Sequence, residues 1–97
     1  MNTSMREIID KQNIQELQNH YSYSIDSGKY DNLDEMFTPN AIYNFITGFT
    51  DNIEALKQTI REALEPLKTS QHINGNQWAE IEGDLAKAGC YFTVHMH

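Results

Sequence analysis

The chain has 97 residues, with 7 Lys+Arg against 14 Asp+Glu and a single cysteine, a length that holds one domain. A formal net charge of −7, with no lysine or arginine cluster, lacks the basic footprint of nucleic-acid recognition and disfavours anionic membrane surfaces. Apolar residues make up 39%, a share unchanged when the five glycines are counted in place of the five tyrosines; it lies below the ~45 to 50% usual for soluble domains, so the core is thin for its length. Cys90 has no second cysteine to pair with, the N-terminus lacks a basic-then-apolar secretory pattern, and no apolar run approaches the roughly 18 residues of a membrane span. These features predict a soluble protein of the reducing cytoplasm.

The first predicted element is a helix. Ser4 and Glu7 have capping-box spacing, Ile14, Leu17, Tyr21 and Ile25 follow at the intervals of one helix face, and Gly28 supplies the stop. A shorter helical turn over 31–37 groups Leu33, Met36 and Phe37 and ends at Thr38-Pro39, leaving an acidic side with Asp31, Asp34 and Glu35 toward solvent. Residues 41–46 are β-branched and aromatic without helical period and read as a strand. Asp51 and Glu54 repeat the cap signature and open a helix with Ile53, Leu56, Ile60, Ala63, Leu64 and Leu67 as its buried stripe, closed near Pro66.

From Ser70 to Glu82, and again from Leu85 to His97, the spacing changes to period two, and Gly83-Asp84 between the runs is a hairpin signal. The order predicts an α+β fold with helices on one face of an antiparallel sheet. A two-residue loop pairs positions whose numbers sum to 167, which sets His72 opposite His95. Directly opposed residues share a face, so His72, Asn74, Asn76 and Trp78 are expected beside Tyr91, Thr93, His95 and His97. Ile73, Ala79, Ile81, Ala86, Cys90, Phe92, Val94 and Met96 fall on the other side, where Cys90 is packing rather than a nucleophile. A face with three histidines, Trp78 and Tyr91 predicts the lining of a cavity. His72, His95 and His97 with Asp26 nearby also offer ligands for zinc or iron, although His-x-His alone is a weak signal.

Three stretches, Ile25-Asp26-Ser27-Gly28-Lys29-Tyr30-Asp31-Asn32-Leu33 with Met36-Phe37-Thr38-Pro39-Asn40-Ala41, then Thr69 to Asn76, then Ile81 to Ala86, resemble SnoaL-like proteins of the nuclear transport factor 2 superfamily. The scytalone dehydratase and hexachlorocyclohexane dehydrochlorinase branches of that superfamily are similar as well. The resemblance implies a conical α+β fold in which a curved antiparallel sheet wraps the long N-terminal helix around a pocket. It also implies two further strands beyond the position of His97, often with the dimer contact, so the chain is expected to lack the last strands of the fold and to form a homodimer through its sheet.

In the resembling enzymes an aspartate at the end of the first helix and a histidine at the start of the second strand form an acid-base dyad, and Asp26 and His72 occupy those positions. A second histidine one strand further on corresponds to His97 or to His95. Where the dehydratase branch has tyrosines this chain has Ile25 and Phe45, leaving Tyr21, Tyr43 or Tyr91 to hold a substrate oxygen. The expected substrate-binding set is Tyr21, Tyr43, Phe45, Asn74, Trp78 and Tyr91, with no cofactor and no metal. The reading is a cofactor-independent lyase, dehydratase or isomerase acting on a small apolar or cyclic molecule. The alternatives are a non-catalytic binding module and an accessory subunit resembling the small β subunits of ring-hydroxylating dioxygenases, since one fold hosts many functions.

Overall fold

A computed structural model describes residues 4–45, 48–67 and 69–96. Among them the elements run α1 (Met5–Asp26), a 3-10 helix (Tyr30–Glu35), β1 (Tyr43–Phe45), β2 (Gly48–Thr50), α2 (Ile53–Leu64), β3 (Ser70–Glu82) and β4 (Leu85–Met96). This is the predicted α+β order with a long N-terminal helix, and the described strands form two antiparallel ribbons, β1 with β2 and β3 with β4. No helix among the described residues is long and apolar enough to cross a membrane.

Both ends of α1 follow from local chemistry. Ser4 Oγ accepts the backbone N–H of Glu7 at 3.1 Å, satisfying one of the free donors of the first turn. At the other end Gly28 takes φ 71°, and the N–H groups of Gly28 and Lys29 return to the carbonyls of Ile25 and Ser24 at 3.2 and 2.8 Å. This paired closure requires a left-handed residue, which glycine adopts without steric penalty. The cap of α2 is Asn52 and not Asp51. Asn52 Oδ1 accepts from the N–H of Glu54 and Ala55 at 2.9 and 3.2 Å. The reason is that Thr50 belongs to β2, paired with Tyr43, so the helix starts one residue later than the Asp51–Glu54 spacing predicts.

The core sits between α1, the 3-10 helix, β1 and α2. Ile25, Leu33, Tyr43, Leu56 and Ile60 are buried, with Tyr21, Tyr30, Phe37, Ala41, Ile53 and Leu64 packed around them. The predicted stripe of α1 is buried only at its C-terminal end: Ile25 is covered and Leu17 is exposed. Among the described residues β3 and β4 contribute no member of this buried cluster.

Lys57, on the inner side of α2, is 1% exposed. Its ammonium lies 2.7 Å from Asp34, 3.1 Å from Asp31 and 3.1 Å from Glu54. The Asp34 carboxylate first, then Glu54 and Asp31, raise its pKa above the ordinary lysine value against the opposing pull of burial. The acidic side of the 3-10 helix is therefore an ionic tie to α2 rather than a merely solvated face.

The hairpin departs from the predicted pairing midway. From Glu82↔Leu85 to Trp78↔Gly89 the pairs follow the expected register; the register then shifts, and beyond it Gly75 faces Tyr91, Asn74 faces Phe92 and His72 faces Val94. Within the shift Asn76 has φ 50°, a left-handed conformation that asparagine tolerates better than most residues. A bulge of this kind inserts one residue into one strand and moves every later side chain of that strand to the other face. His72 and His95 are consequently on opposite sides of the ribbon, contrary to the expected single histidine face.

Candidate functional site

The last turn of α1 lies against the first residues of β3, and there Asp26 meets His72. Asp26 Oδ1 is 2.6 Å from His72 Nδ1, Oδ2 accepts the backbone N–H of His72 at 2.6 Å, and Oδ1 also accepts the Ser70 hydroxyl at 2.9 Å. Alternate residues of a strand share a face, so Ser70 and His72 reach the carboxylate together. The side chains of His72 and Asp26 are 15% and 19% exposed. Burial pushes the Asp26 carboxyl up, but the hydrogen bonds from the His72 backbone, the imidazole and Ser70 outweigh it and hold it below the usual carboxylate range. An ionised Asp26 favours the tautomer in which Nδ1–H donates to it, leaving the Nε2 lone pair as a base. The ring of Phe92 stands 5.5 Å from the imidazole, and Val94 is directly opposite on β4.

The rest of the seam between α1 and β3 is also polar. Ser22 donates to Asn74 Oδ1 at 3.2 Å, and Asn74 Nδ2 donates to Asn19 Oδ1 at 3.2 Å. Past the bulge, Gln77 Nε2 donates to Gln18 Oε1 at 3.1 Å and Gln77 Oε1 accepts from Gln15 at 2.8 Å. The bulge is what allows His72 and Asn74 on one side of it, and Gln77 on the other, all to face α1. Ser70, Ser22 and Gln77 were not singled out by sequence reasoning; the alternation of Ser70 with His72 is the signal that could have found the first of them.

The remaining predicted residues are dispersed. His95 stands opposite Gln71 on the face turned away from α1, and His97 lies outside the described residues. The ligand set of three histidines with Asp26 is thus not brought together among the described residues. Trp78, with its ring over Gly89, and Tyr91, 75% exposed, occupy the same outward face as His95. Tyr43 is buried in the core, its ring edge-on to Phe37 at 5.0 Å, and Phe37 in turn meets Tyr21 at 6.4 Å. Burial raises the pKa of the Tyr21 phenol. Phe45 lines a small cavity of 120 Å³ with Tyr43, Leu56 and Thr59. A larger groove of 440 Å³ runs between α1 and β3, lined by Ile8, Ile14, Gln15, Gln18, Gln77 and Ala79 among others. Asn74 is therefore the one predicted substrate-binding residue that shares the dyad's face of β3.

A family model described as a SnoaL-like domain matches residues 6–97. Uncharacterized proteins of Mycobacterium tuberculosis strains H37Rv and CDC 1551 and of Mycobacterium bovis are each 33% identical over 87 residues, covering 88% of this chain and 59% of their own length. The chain thus spans less than two thirds of the length of the curated relatives it matches. No solved structure gives a significant match. With the family model covering nearly every residue, and with the helix and antiparallel-strand order of the structure in agreement, the chain belongs to the SnoaL-like domain family.

Proposed function

We propose that this domain is a cofactor-independent lyase, dehydratase or isomerase acting on a small apolar or cyclic molecule, with His72 moving a proton and Asp26 orienting the imidazole. The observation that carries the reading is the 2.6 Å approach of Asp26 Oδ1 to His72 Nδ1, with Oδ2 fixed by the His72 backbone N–H. A carboxylate on Nδ1 sets the tautomer, and it stabilises the imidazolium formed when Nε2 takes a proton. Phe92, 60% exposed and close to the imidazole, supplies apolar surface beside the base and supports an apolar substrate. Proton removal next to a carbonyl leaves an enolate; return of the proton from His72 to another carbon completes an isomerisation. In an elimination the C–X bond breaks as the C=C bond forms, and the imidazolium of His72 returns the abstracted proton to a departing hydroxide, giving water.

A generic carbon acid can stand in for the natural substrate in the test. The protein is incubated in heavy water with a panel of cyclic ketones, and loss of the α-proton signals is followed by NMR. Acceleration by the wild type, abolished in both H72A and D26N with the fold intact, is the expected result. Equal exchange with wild type and H72A on every ketone rejects the reading. A small molecule that co-purifies and still binds D26N would favour the non-catalytic alternative instead.

A further inference from the structure

The carboxylate of Asp26 has a third donor besides the imidazole and the backbone. The Ser70 hydroxyl reaches Oδ1 at 2.9 Å, and this is the oxygen that lies 2.6 Å from His72 Nδ1. Oδ2 is held separately by the His72 backbone N–H at 2.6 Å. One strand segment, Ser70 to His72, thus grips both oxygens of a carboxylate that belongs to a different element, α1.

We propose that Ser70 is a positioning residue for the acid-base pair: its hydroxyl fixes the Asp26 carboxylate against β3 and keeps the shared proton on His72 Nδ1, so that Nε2 stays free as the base. The inference rests on the Asp-His reading of the site. Two physical arguments carry it. An aspartate at a helix end can rotate about its side-chain torsions, and its side chain retains 19% of its exposure to water. With only the imidazole on Oδ1, solvent competes for that oxygen; a hydroxyl donated from a strand position shuts off that competition. A second donor on Oδ1 also withdraws electron density from it, lowering its affinity for the imidazole proton. The proton therefore remains on nitrogen, and the ring keeps one tautomer. Ser70 stands opposite Met96 on the ribbon, whose thioether is a poor acceptor, and its hydroxyl donates to the Asp26 carboxylate instead.

The test compares wild type with S70T, S70V and S70A. Thr and Val have the same shape, and they differ in the hydroxyl that matters. Long-range proton–nitrogen NMR of the histidine side chains reports the tautomer of His72, and the far-downfield Nδ1 proton reports its bond to Asp26. The expected result is a single Nδ1–H tautomer with that downfield proton in wild type and S70T, and a tautomer mixture with loss of the signal in S70V and S70A. Ketone exchange should fall about five- to tenfold in S70V, the rate equivalent of one hydrogen bond, and be restored in S70T. Identical spectra and exchange rates for S70T and S70V overturn the role of Ser70 while leaving the dyad standing. An Nε2–H tautomer in the wild type overturns the dyad reading and this inference with it. A fold lost in S70A does not blur the result, because the Thr and Val pair decides it.

Discussion

His72 stands opposite Val94 on β4, one residue away from the His95 that an unbroken hairpin would give it. Asn76 is responsible, since its φ of 50° sits where the register changes. Replacing Asn76 by Gly should leave stability near wild type, because glycine accepts the left-handed region freely. Asn76→Val should cost roughly 1 to 2 kcal/mol, the penalty of forcing a branched residue into that region. Urea unfolding monitored by circular dichroism measures both; a valine variant as stable as wild type would show that the bulge needs no positive φ.

Acid should loosen the dyad in a defined direction. The Asp26 carboxyl titrates below its ordinary value in the folded chain, so its contribution is present above the unfolded carboxyl pKa and is lost as pH falls through the folded one. Stability of the wild type should drop as acidity passes through that window. Asp26→Asn should flatten the drop and lower stability near neutrality by about 1 to 3 kcal/mol, because donors from Ser70 and His72 are left with a poorer acceptor. An unchanged acid slope in the variant would mean that Asp26 is not the group responsible.

Lys57 offers the opposite sign. Its pKa is raised in the folded chain by Asp34, Glu54 and Asp31, so its contribution is complete below the unfolded lysine pKa and declines as pH rises through the folded one. Lys57→Met keeps the buried stem and deletes the charge, and should cost about 2 kcal/mol, since hydrogen bonds to charged groups are worth ~1.5 to 3 kcal/mol. The three carboxylates can rehydrate, because their side chains are 51% to 92% exposed. Thermal melts of wild type and variant at neutral and strongly alkaline pH check this: the gap between them should narrow as the base strengthens.

Gly89 marks a contact that a single methyl group would disturb. A Cβ there would lie 2.8 Å from atoms of the Trp78 ring. Gly89→Ala should move the indole away from the ribbon and red-shift its fluorescence, with a stability loss of about 1 kcal/mol at the low end of overpacking costs. Trp78 is the chain's one tryptophan, so the emission reads this site alone. An unshifted spectrum would count against the ring lying over Gly89.

The helices and the hairpin were legible because their signals are local: Ser4 and Glu7 for the start of α1, Gly28 for its end, and Gly83 with Asp84 for the turn. The pairing of Asp26 with His72 came through family resemblance, and the structure places the two in contact. The partners of His72 across the ribbon did not come through. An Asn-Gly-Asn run can continue a strand or bulge it, and period-two patterning is blind to a shift of one, which exchanged His95 for Val94. Strand β2 was missed because three residues are too short to show a period. Lys57 was hidden for another reason: a cation on the apolar side of α2 reads as an interruption until three carboxylates from outside its own turn and within it are seen to meet it.

The amide and hydroxyl seam that joins α1 to β3 makes one helix the border between two kinds of adhesion. On one side Ile25 meets a buried apolar cluster; on the other, Asn74 and Gln77 hold the hairpin through hydrogen bonds. Apolar burial weakens on cooling, whereas hydrogen bonds are enthalpic and do not share that loss. Chilling the protein should therefore slacken the half of the molecule built around Leu33 while the ribbon that presents His72 keeps its grip on α1.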